Sequence, residues 1–413
     1  MRIALLQGGG NCPSSSDAHR GLAETAIKSG HEVLVIPFGF RGLVTPDQQY
    51  RNLFECDVVQ KRGLDGMHLH PGVLKEMGSS RTKPIPVDED GNILQGEDDW
   101  SETERQEEYQ KNLAIYTKNR ATIQENLTRN RIDILGIVGG DDTLGRGASM
   151  LYRHGILMRE GEHGHQTVQA VGVPKTIDND FRNIAYSFGA TSASLRGQSF
   201  VQDGRTEANY YNKVMILEAM GRDCGWLAAA SAEHADGVLI PEVPLAEDAV
   251  VHAVQRKIRD HGKNLVLVTA EGFPVKGKKV HLAGPPDGFG HHRLGGVRFM
   301  IEAWLNKAKI ETMQLCPGYL YRSGAPTERD AQFGYRLGVM AMEAALGKGQ
   351  EGRKRNGVIA HLPEGSRSLE DPITLMDMAE IRGGKQLNSA GYDPETLQFV
   401  QPLMPEPESG IAQ

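Results

Sequence analysis

Short apolar runs, each followed by a polar or glycine-rich loop, recur along the chain. Seven of them predict β-strands, at residues 2–6, 32–37, 132–138, 168–173, 213–217, 265–269 and 357–361. Apolar residues at helical spacing predict a helix over residues 16–29 and a long surface helix over residues 102–129. Strands that alternate with loops and helices in this way indicate βαβ units and a mostly parallel sheet.

Two segments depart from this pattern. Residues 84–101 are acidic and rich in turn-forming residues, which predicts an exposed loop. The tail after Pro402 is predicted to be frayed.

The length of 413 residues predicts two domains, and a content of 39% hydrophobic residues suits a soluble globular protein. The net charge of −7 argues against a nucleic-acid surface, and no apolar run is long enough to span a membrane. Four cysteines without paired spacing argue against a zinc site and favour a reduced, cytoplasmic location. The apolar run at the start of the sequence is too short for the hydrophobic region of a signal peptide.

The loop after the strand at 168–173 carries Lys175, Thr176, Asp178 and Asp180. One cation, one hydroxyl and two carboxylates suit a site for phosphate, a metal and a reacting hydroxyl. Ligands of open α/β sheets collect at the carboxyl ends of the strands, where this loop lies. The alternative interpretation is a polar turn whose aspartates cap the next helix.

Two glycine-rich loops follow other predicted strands. Gly139 and Gly140 precede Asp141, Asp142 and Thr143, so backbone N–H groups and hard oxygen ligands come together. Residues 8–10 are three successive glycines before a serine-rich helix start, although neither common nucleotide fingerprint is present. Both loops are also compatible with ordinary strand-to-helix turns.

Further polar residues follow the later strands: Arg222 suits a phosphate or the polar face of a sugar, Glu271 suits vicinal hydroxyls, and Tyr319 and Arg322 could clamp a sugar phosphate. Read singly, each is also compatible with an ordinary loop position. The 14 histidines show no metal-binding helical spacing, which predicts that they are mostly exposed or locally bonded.

The ordered motifs GGDDT, PKTIDND, MGRDCG, AEG and PGYLYRSG resemble those of the phosphofructokinase A family. The resemblance runs from Gly8 to at least Gly338. It implies two Rossmann-like, three-layer α/β/α domains with the active site in the cleft between them. We assign residues 1–189 and 322–375 to a larger donor domain, and residues 190–321 and 376–413 to a smaller sugar-phosphate domain. The resemblance also implies a homodimer or homotetramer in which a neighbouring subunit completes each active site.

Roles follow from the resemblance residue by residue. Asp178 would be the general base, Thr176 and Asp180 would orient the acceptor, and Asp141 would hold Mg²⁺. The cations Lys175 and Arg81 would stabilise the transferred phosphate. Donor contacts are assigned to Gly9, Gly10, Gly140, Asp142 and Thr143, and sugar-phosphate contacts to Lys213, Met220, Gly221, Arg222, Glu271, Tyr319 and Arg322.

Asp142 and Lys175 predict the phosphoryl donor. ATP-using bacterial members of the family have glycine at both of these positions. A carboxylate at 142 repels a nucleotide α-phosphate, and a lysine at 175 offers a cation to pyrophosphate. We therefore predict a Mg²⁺-dependent, reversible transfer from pyrophosphate to fructose 6-phosphate, in glycolysis or gluconeogenesis. ATP as the donor is the alternative.

The acceptor pocket departs from the family pattern. Met313 stands where the family has a basic residue, and Tyr319 replaces a histidine; His291, His292 or Arg293 would compensate. A different acceptor, such as a seven-carbon ketose phosphate, stays open. A catalytically silent sugar-phosphate-binding regulator is disfavoured, because Asp178 and Asp141 are both present.

Overall fold

Two separate β-sheets form the centre of the protein. A computed structural model describes residues 1–96, 100–349 and 352–400. Seven strands form the larger sheet in the order β13-β12-β7-β4-β1-β2-β3, and four form the smaller sheet in the order β11-β8-β10-β9. The strands are β1 (Arg2–Gln7), β2 (Glu32–Val35), β3 (Arg51–Asn52), β4 (Ile134–Gly139), β5 (Met158–Gly161), β6 (Gly164–Thr167), β7 (Gln169–Pro174), β8 (Val214–Ala219), β9 (Gly237–Leu239), β10 (Val266–Ala270), β11 (Thr312–Leu315), β12 (Val358–His361), β13 (Thr374–Asp377), β14 (Tyr392–Asp393) and β15 (Gln398–Phe399).

The helices pack on both faces of these sheets. They are α1 (Ser15–Lys28), α2 (Phe40–Val44), α3 (Asp57–Arg62), α4 (Glu102–Arg129), α5 (Asp141–Thr143), α6 (Ser149–Arg153), α7 (Ala190–Tyr211), α8 (Trp226–Ser231), α9 (Glu247–His261), α10 (Val297–Lys307) and α11 (Glu328–Leu346), with a π-helical segment (Leu144–Ala148) between α5 and α6. Short 3₁₀ turns cover Leu53–Glu55, Leu64–Met67, Ala232–His234, Gly318–Arg322 and Met378–Glu380. None of the helices in the described ranges is long and apolar enough to span a membrane.

Parallel pairing in the two central sheets follows from the βαβ connections, and within the described residues of these sheets only the two edge strands of the larger one differ. β3 pairs antiparallel with β2, and β13 pairs antiparallel with β12. All pairs of the smaller sheet are parallel. The small hairpins β5–β6 and β14–β15 are antiparallel. The mixed α/β fold with mostly parallel sheets that the sequence predicts is therefore confirmed.

Each sheet is buried on both faces. In β1, Ile3 and Leu5 join one apolar cluster, whereas Ala4 and Leu6 join the cluster on the opposite face. This alternation explains why β1 reads as a continuous apolar run, as expected for a parallel strand covered by helices on both sides. A third cluster lies under α9 and α10 of the smaller sheet.

Helices α1 and α11 approach each other unusually closely against the larger sheet. A Cβ added to Gly21 would lie 2.2 Å from the carbonyl oxygen of Tyr335, and one added to Gly338 would lie 2.2 Å from that of Ala18. Glycines on both helices thus let the two backbones touch, and α11 brings a late part of the chain against its beginning.

The predicted strands all form, within about two residues of their predicted ends. The long helix begins at Glu102 and ends at Arg129 as predicted, because Ser101 and Glu104 form a reciprocal N-terminal cap. The sequence patterns missed the edge strands and the two small hairpins. Residues 97–99 of the predicted acidic loop and the predicted frayed tail after Pro402 lie outside the described residues.

The two-domain division stays a prediction, although several contacts bear on it. Strand β13 crosses the predicted boundary at 375 and pairs in the larger sheet. Beyond it, the Tyr392 hydroxyl donates to the carbonyl oxygen of Val238 (2.6 Å), which attaches the end of the described chain to the smaller sheet.

Candidate active site

The carboxyl ends of five parallel strands face one cavity of about 430 Å³ between the two sheets. Three of these strands (β1, β4 and β7) belong to the larger sheet, and two (β8 and β10) belong to the smaller one. Of the predicted site residues, those that line the cavity are Gly9, Gly10, Arg81, Gly140, Asp141, Asp142, Thr143, Lys175, Thr176, Asp178, Asp180, Met220, Arg222, Glu271 and Arg322.

Asp178 lies at the centre of this cavity and is short of hydrogen-bond partners. Its Oδ1 atom is buried and, among the described residues, has no hydrogen-bond partner. Burial raises the pKa of Asp178 to about 6, and the nearby Glu271 carboxylate adds to the rise. An unpartnered carboxylate oxygen with a raised pKa is suited to accept a proton from a substrate hydroxyl.

The turn around Asp178 is built from its own side chains. The Thr176 hydroxyl accepts a hydrogen bond from the N–H of Asp178 (3.1 Å) and also bonds the Asp180 carboxyl. Asn179 has a left-handed backbone (φ 51°), and its Oδ1 atom accepts from the N–H of Ser187 (3.1 Å). Asparagine tolerates this conformation better than most residues, so the turn between the two aspartates is stable.

A second group of carboxyls lies beside this turn. Burial raises the pKa of Asp180 to about 7, and Asp178 contributes to that rise. Burial likewise raises the pKa of Asp141 to about 6, with further contributions from Asp142 and Asp180. Uncompensated negative charge at Asp141 and Asp180 would attract a cation.

Lys175 supplies positive charge beside the glycine loop at residues 8–10. Its side chain is buried, and Nζ donates to the carbonyl oxygen of Gly10. Burial lowers the pKa of Lys175 to about 8. A Cβ on Gly9, whose φ is +79°, would come within 3.3 Å of Nζ, so glycine leaves the ammonium group accessible to a ligand in the loop.

Asp142 is held by the side chains of His291 and Arg146. The Nε2 atom of His291 lies 3.0 Å from Oδ2 of Asp142, and Nη1 of Arg146 lies 3.6 Å from Oδ1. The hydrogen bond to Asp142 raises the pKa of His291 above its usual range. The prediction that His291, His292 or Arg293 compensates on the sugar side stays a prediction; in this structure the His291 ring lies against the donor candidate Asp142.

Thr143 is buried between two glycine loops. A Cβ on Gly8 would lie 2.2 Å from Oγ1 of Thr143, and one on Gly139 would lie 2.4 Å from its Cβ. These glycines are therefore required for close packing of the β1 and β4 loops around Thr143.

The opposite end of the cavity carries Glu271, Arg222 and Arg322. Burial raises the pKa of Glu271 to about 7, although Arg222 opposes the rise. The guanidinium of Arg322 lies 4.5 Å from the centre of the Tyr319 ring, and a Cβ on Gly10 would lie 2.0 Å from its Nη1 atom. Arg322 thus connects this end with the glycine loop.

Three predicted residues do not line the cavity. Lys213 pairs with Glu311 (3.1 Å) at the amino ends of β8 and β11, and β11 carries Met313. Tyr319 is 57% exposed beside the cavity. Gly221 (φ +132°) instead shapes the turn, since its carbonyl oxygen accepts from the N–H of Gly272 (3.0 Å).

Several lining residues were missed by the sequence analysis, among them Asn11, Glu89, Arg182, Asp223, Phe289 and residues 381–384. Arg182 directly follows the predicted loop and was within reach of that argument. Residues 381–384 follow an edge strand that has no apolar signature, so nothing in the local pattern indicated that they return to the cavity.

A phosphofructokinase family model matches residues 2–345 of the chain, which include every cavity-lining segment described above except residues 381–384. The chain belongs to the phosphofructokinase family. It is 33% identical over 350 residues to a pyrophosphate–fructose 6-phosphate 1-phosphotransferase from Dictyoglomus thermophilum, covering 83% of this chain and 86% of that one.

Other phosphofructokinases are similar at comparable coverage. An ATP-dependent 6-phosphofructokinase from Clostridium perfringens is 29% identical over 354 residues, covering 83% of this chain and 84% of that one. A solved pyrophosphate-dependent phosphofructokinase from Nitrosospira multiformis shares the fold with a TM-score of 0.72 at 17% identity, covering 96% of this chain and 88% of that one.

Proposed function

We propose that this phosphofructokinase family member transfers a phosphoryl group from pyrophosphate to the 1-hydroxyl of fructose 6-phosphate. The products are fructose 1,6-bisphosphate and orthophosphate, and the reaction is reversible. The observation that carries the proposal is the buried Oδ1 of Asp178, which has no hydrogen-bond partner among the described residues, in a cavity that the glycine loops and Glu271 also line.

Each protein group has a stated part in the transfer. Asp178 accepts the proton of the 1-hydroxyl group of the sugar. The oxygen of this hydroxyl group attacks the terminal phosphorus of pyrophosphate. The bond from that phosphorus to the bridging oxygen breaks, and orthophosphate leaves with the electron pair. Lys175 and Arg81 stabilise the charge on the phosphates, and Thr176 keeps Asp178 and Asp180 in position.

The residues present fit a Mg²⁺ ion that arrives with the substrate. No cluster of three or more His, Cys, Asp or Glu side chains forms a metal cage within the described part of the chain. Mg²⁺ in phosphoryl-transfer sites is held by one or two carboxylates together with substrate phosphates and waters. Asp141 would hold it, with Asp180 nearby, and the ion would neutralise charge on the phosphate oxygens.

Two features favour pyrophosphate over ATP as the donor. Asp142 is fixed by His291 and Arg146, so its carboxylate keeps a defined place beside the glycine loops. Lys175 is buried with its ammonium group at Gly9 and Gly10, where a compact anion can reach it. ATP remains the second candidate, since an ATP-dependent relative is nearly as similar as the pyrophosphate-dependent one.

The assignment of the acceptor rests on the sugar end of the cavity. Arg222, Glu271 and Arg322 are placed to bind hydroxyl and phosphate groups, and Met220 lines the same region. Lys213 lies outside the cavity and is partly exposed, at the amino end of β8. We therefore infer a homo-oligomer in which Lys213 reaches the sugar phosphate of a neighbouring subunit. A seven-carbon ketose phosphate is the alternative acceptor, because Met313 adds no charge there.

We also expect the protein to act in the cytoplasm, since all four cysteines are unpaired thiols.

A donor and acceptor assay with Mg²⁺ tests the proposal. Pyrophosphate and ATP are each compared on fructose 6-phosphate and on sedoheptulose 7-phosphate. Turnover of fructose 6-phosphate with pyrophosphate supports the proposal, whereas turnover with ATP alone refutes the donor assignment. Turnover of only the seven-carbon sugar refutes the acceptor assignment.

The Asp142→Gly/Lys175→Gly double variant tests the selectivity argument separately. We expect it to use ATP better relative to pyrophosphate than the parent protein does. An unchanged ratio would show that these two side chains do not determine the donor.

A further inference from the structure

A segment near the end of the described chain crosses the cavity. We name residues 378–387 the C-terminal strap. It lies beyond residue 345, where the match to the family model ends, yet its residues 381–384 line the cavity. The strap is therefore a part of the site for which the family motifs give no assignment.

Both ends of the strap are tied down. Met378 and Ile381 are fully buried in the apolar cluster of the larger sheet. At the other end, the N–H of Leu387 donates to Oε1 of Glu242 (2.9 Å), and Nε2 of Gln386 donates to the carbonyl oxygen of Asp223 (3.0 Å). The strap thus bridges the two sheets across the cavity.

Between its ends, the strap forms hydrogen bonds to the loop that carries Asp180 and Arg182. The N–H of Arg182 donates to the carbonyl oxygen of Arg382 (2.9 Å), and the N–H of Lys385 donates to that of Asp180 (2.8 Å). A Cβ on Gly383 would lie 2.3 Å from Oδ2 of Asp141, so the strap backbone packs directly on this carboxylate. The strap therefore lies at the donor end of the cavity, beside the predicted metal ligand.

Two arginines at this end have no ion-pair partner within 4 Å in the described part of the chain. Arg81 pairs with Asp287 (2.7 Å), and Arg146 pairs with Glu89 (3.0 Å). By contrast, Arg182 and Arg382 form no ion pair within 4 Å among the described residues, although both line the cavity. Among the residues that the structure describes, the Arg382 side chain donates from Nη1 only, to the carbonyl oxygens of Ala379 (2.6 Å) and Ile381 (2.8 Å).

A guanidinium fixed by backbone carbonyls presents its remaining N–H groups in a set direction, which suits bidentate binding of phosphate oxygens. We propose that Arg382 of the strap and Arg182 bind the phosphate of pyrophosphate that is not transferred, and that they bind orthophosphate in the reverse reaction. This inference rests on the proposed pyrophosphate donor and assigns the groups that hold its leaving half.

The test uses the Arg182→Gln, Arg382→Gln and Gly383→Ala variants of the full chain. Removing one charged hydrogen-bond donor is expected to raise the KM for pyrophosphate, and that for orthophosphate in reverse, roughly 10- to 100-fold. The KM for the sugar phosphates should stay within about twofold, because Glu271 and Arg222 are untouched. Gly383→Ala should also raise the KM for pyrophosphate, since its methyl group pushes the strap away from Asp141.

Matched controls are available in the same region. Arg367→Gln removes an exposed arginine that does not line the cavity, and Gly391→Ala adds a methyl group where no atom lies within 4 Å. Both control variants should keep the KM values of the parent protein. Thermal shift with pyrophosphate and MgCl₂ measures binding without turnover, and the stabilisation by pyrophosphate should shrink in Arg382→Gln and Arg182→Gln.

The outcomes separate this inference from the proposed function. If the parent protein turns over pyrophosphate but the arginine variants keep its KM and its thermal shift, the inference is refuted and the proposed function stands. If the parent protein neither binds nor uses pyrophosphate, the proposed function fails first and the inference falls with it. An equal rise in the KM for the sugar phosphates would show a general distortion of the cavity and overturn the assignment.

Discussion

Replacing Asp178 by asparagine is expected to stabilise the protein while removing most of its turnover. Burial holds the pKa of Asp178 at about 6 in the folded protein, against an ordinary value of 3.8. A raised carboxyl pKa means that ionisation costs the folded state free energy. This penalty is about 3 kcal/mol above pH 6 and falls to about 1 kcal/mol at pH 4.5, where the group is largely protonated in the folded state. Asparagine is neutral and nearly isosteric, so it avoids the penalty.

Urea unfolding of the substrate-free protein at pH 7.5 and pH 4.5 measures the gain, which should be larger at pH 7.5. Asp260→Asn, at an exposed helix position, is the control and should change stability little. Turnover of the Asp178→Asn variant should fall at least roughly 100-fold with little change in substrate binding. A destabilised variant would refute the charge-burial argument, and a variant with normal turnover would remove Asp178 from the role of base.

Three further predictions concern pH, the glycine loop and the helix contact. The kcat/KM of the parent protein should fall as the pH drops below about 6, because Asp178 of the free enzyme becomes protonated; a flat profile of kcat/KM from pH 5 to 8 would contradict this. Gly10→Ala should displace Arg322 and raise the KM for fructose 6-phosphate roughly tenfold, whereas an unchanged KM would show that Arg322 does not bind the sugar phosphate. Gly338→Ala should destabilise the protein by about 1–3 kcal/mol in urea unfolding. The control is Gly349→Ala, because a methyl group there would have no atom within 4 Å. Equal stability of the two variants would exclude close helix contact as the reason for the glycine at 338.

The main strands were predictable because burial on both faces leaves long apolar runs, as in β1 and β4. The edge strand β13, whose residues are partly exposed, carries no such signal. Strand β3 contains only two residues, and its pairing with β2 is set by tertiary contacts. Central strands are thus predictable from local sequence, whereas the edges of the sheet depend on the assembled fold.

The same distinction applies to the site. Asp141 and Asp178 directly follow apolar strands, so the topology of a parallel sheet predicts that they meet at one edge. His291 and Arg382 reach the cavity from segments without regular structure, and their positions depend on contacts more than 100 residues away in sequence, to Asp142 and to Arg182. Sequence patterns carry no information on such contacts.

The close contact between α1 and α11 also bears on the order in which the protein folds during synthesis. Strand β12, which pairs with β7, and helix α11, which covers α1, both come after residue 327. The larger sheet is therefore incomplete until most of the chain has left the ribosome, whereas the smaller sheet is contained within residues 214–315. The strands of the smaller sheet are thus synthesised before the larger sheet can be completed, and we expect the internal segment to become compact first. The nascent α1 would meanwhile expose the face that α11 later covers, and it would be a natural binding site for chaperones.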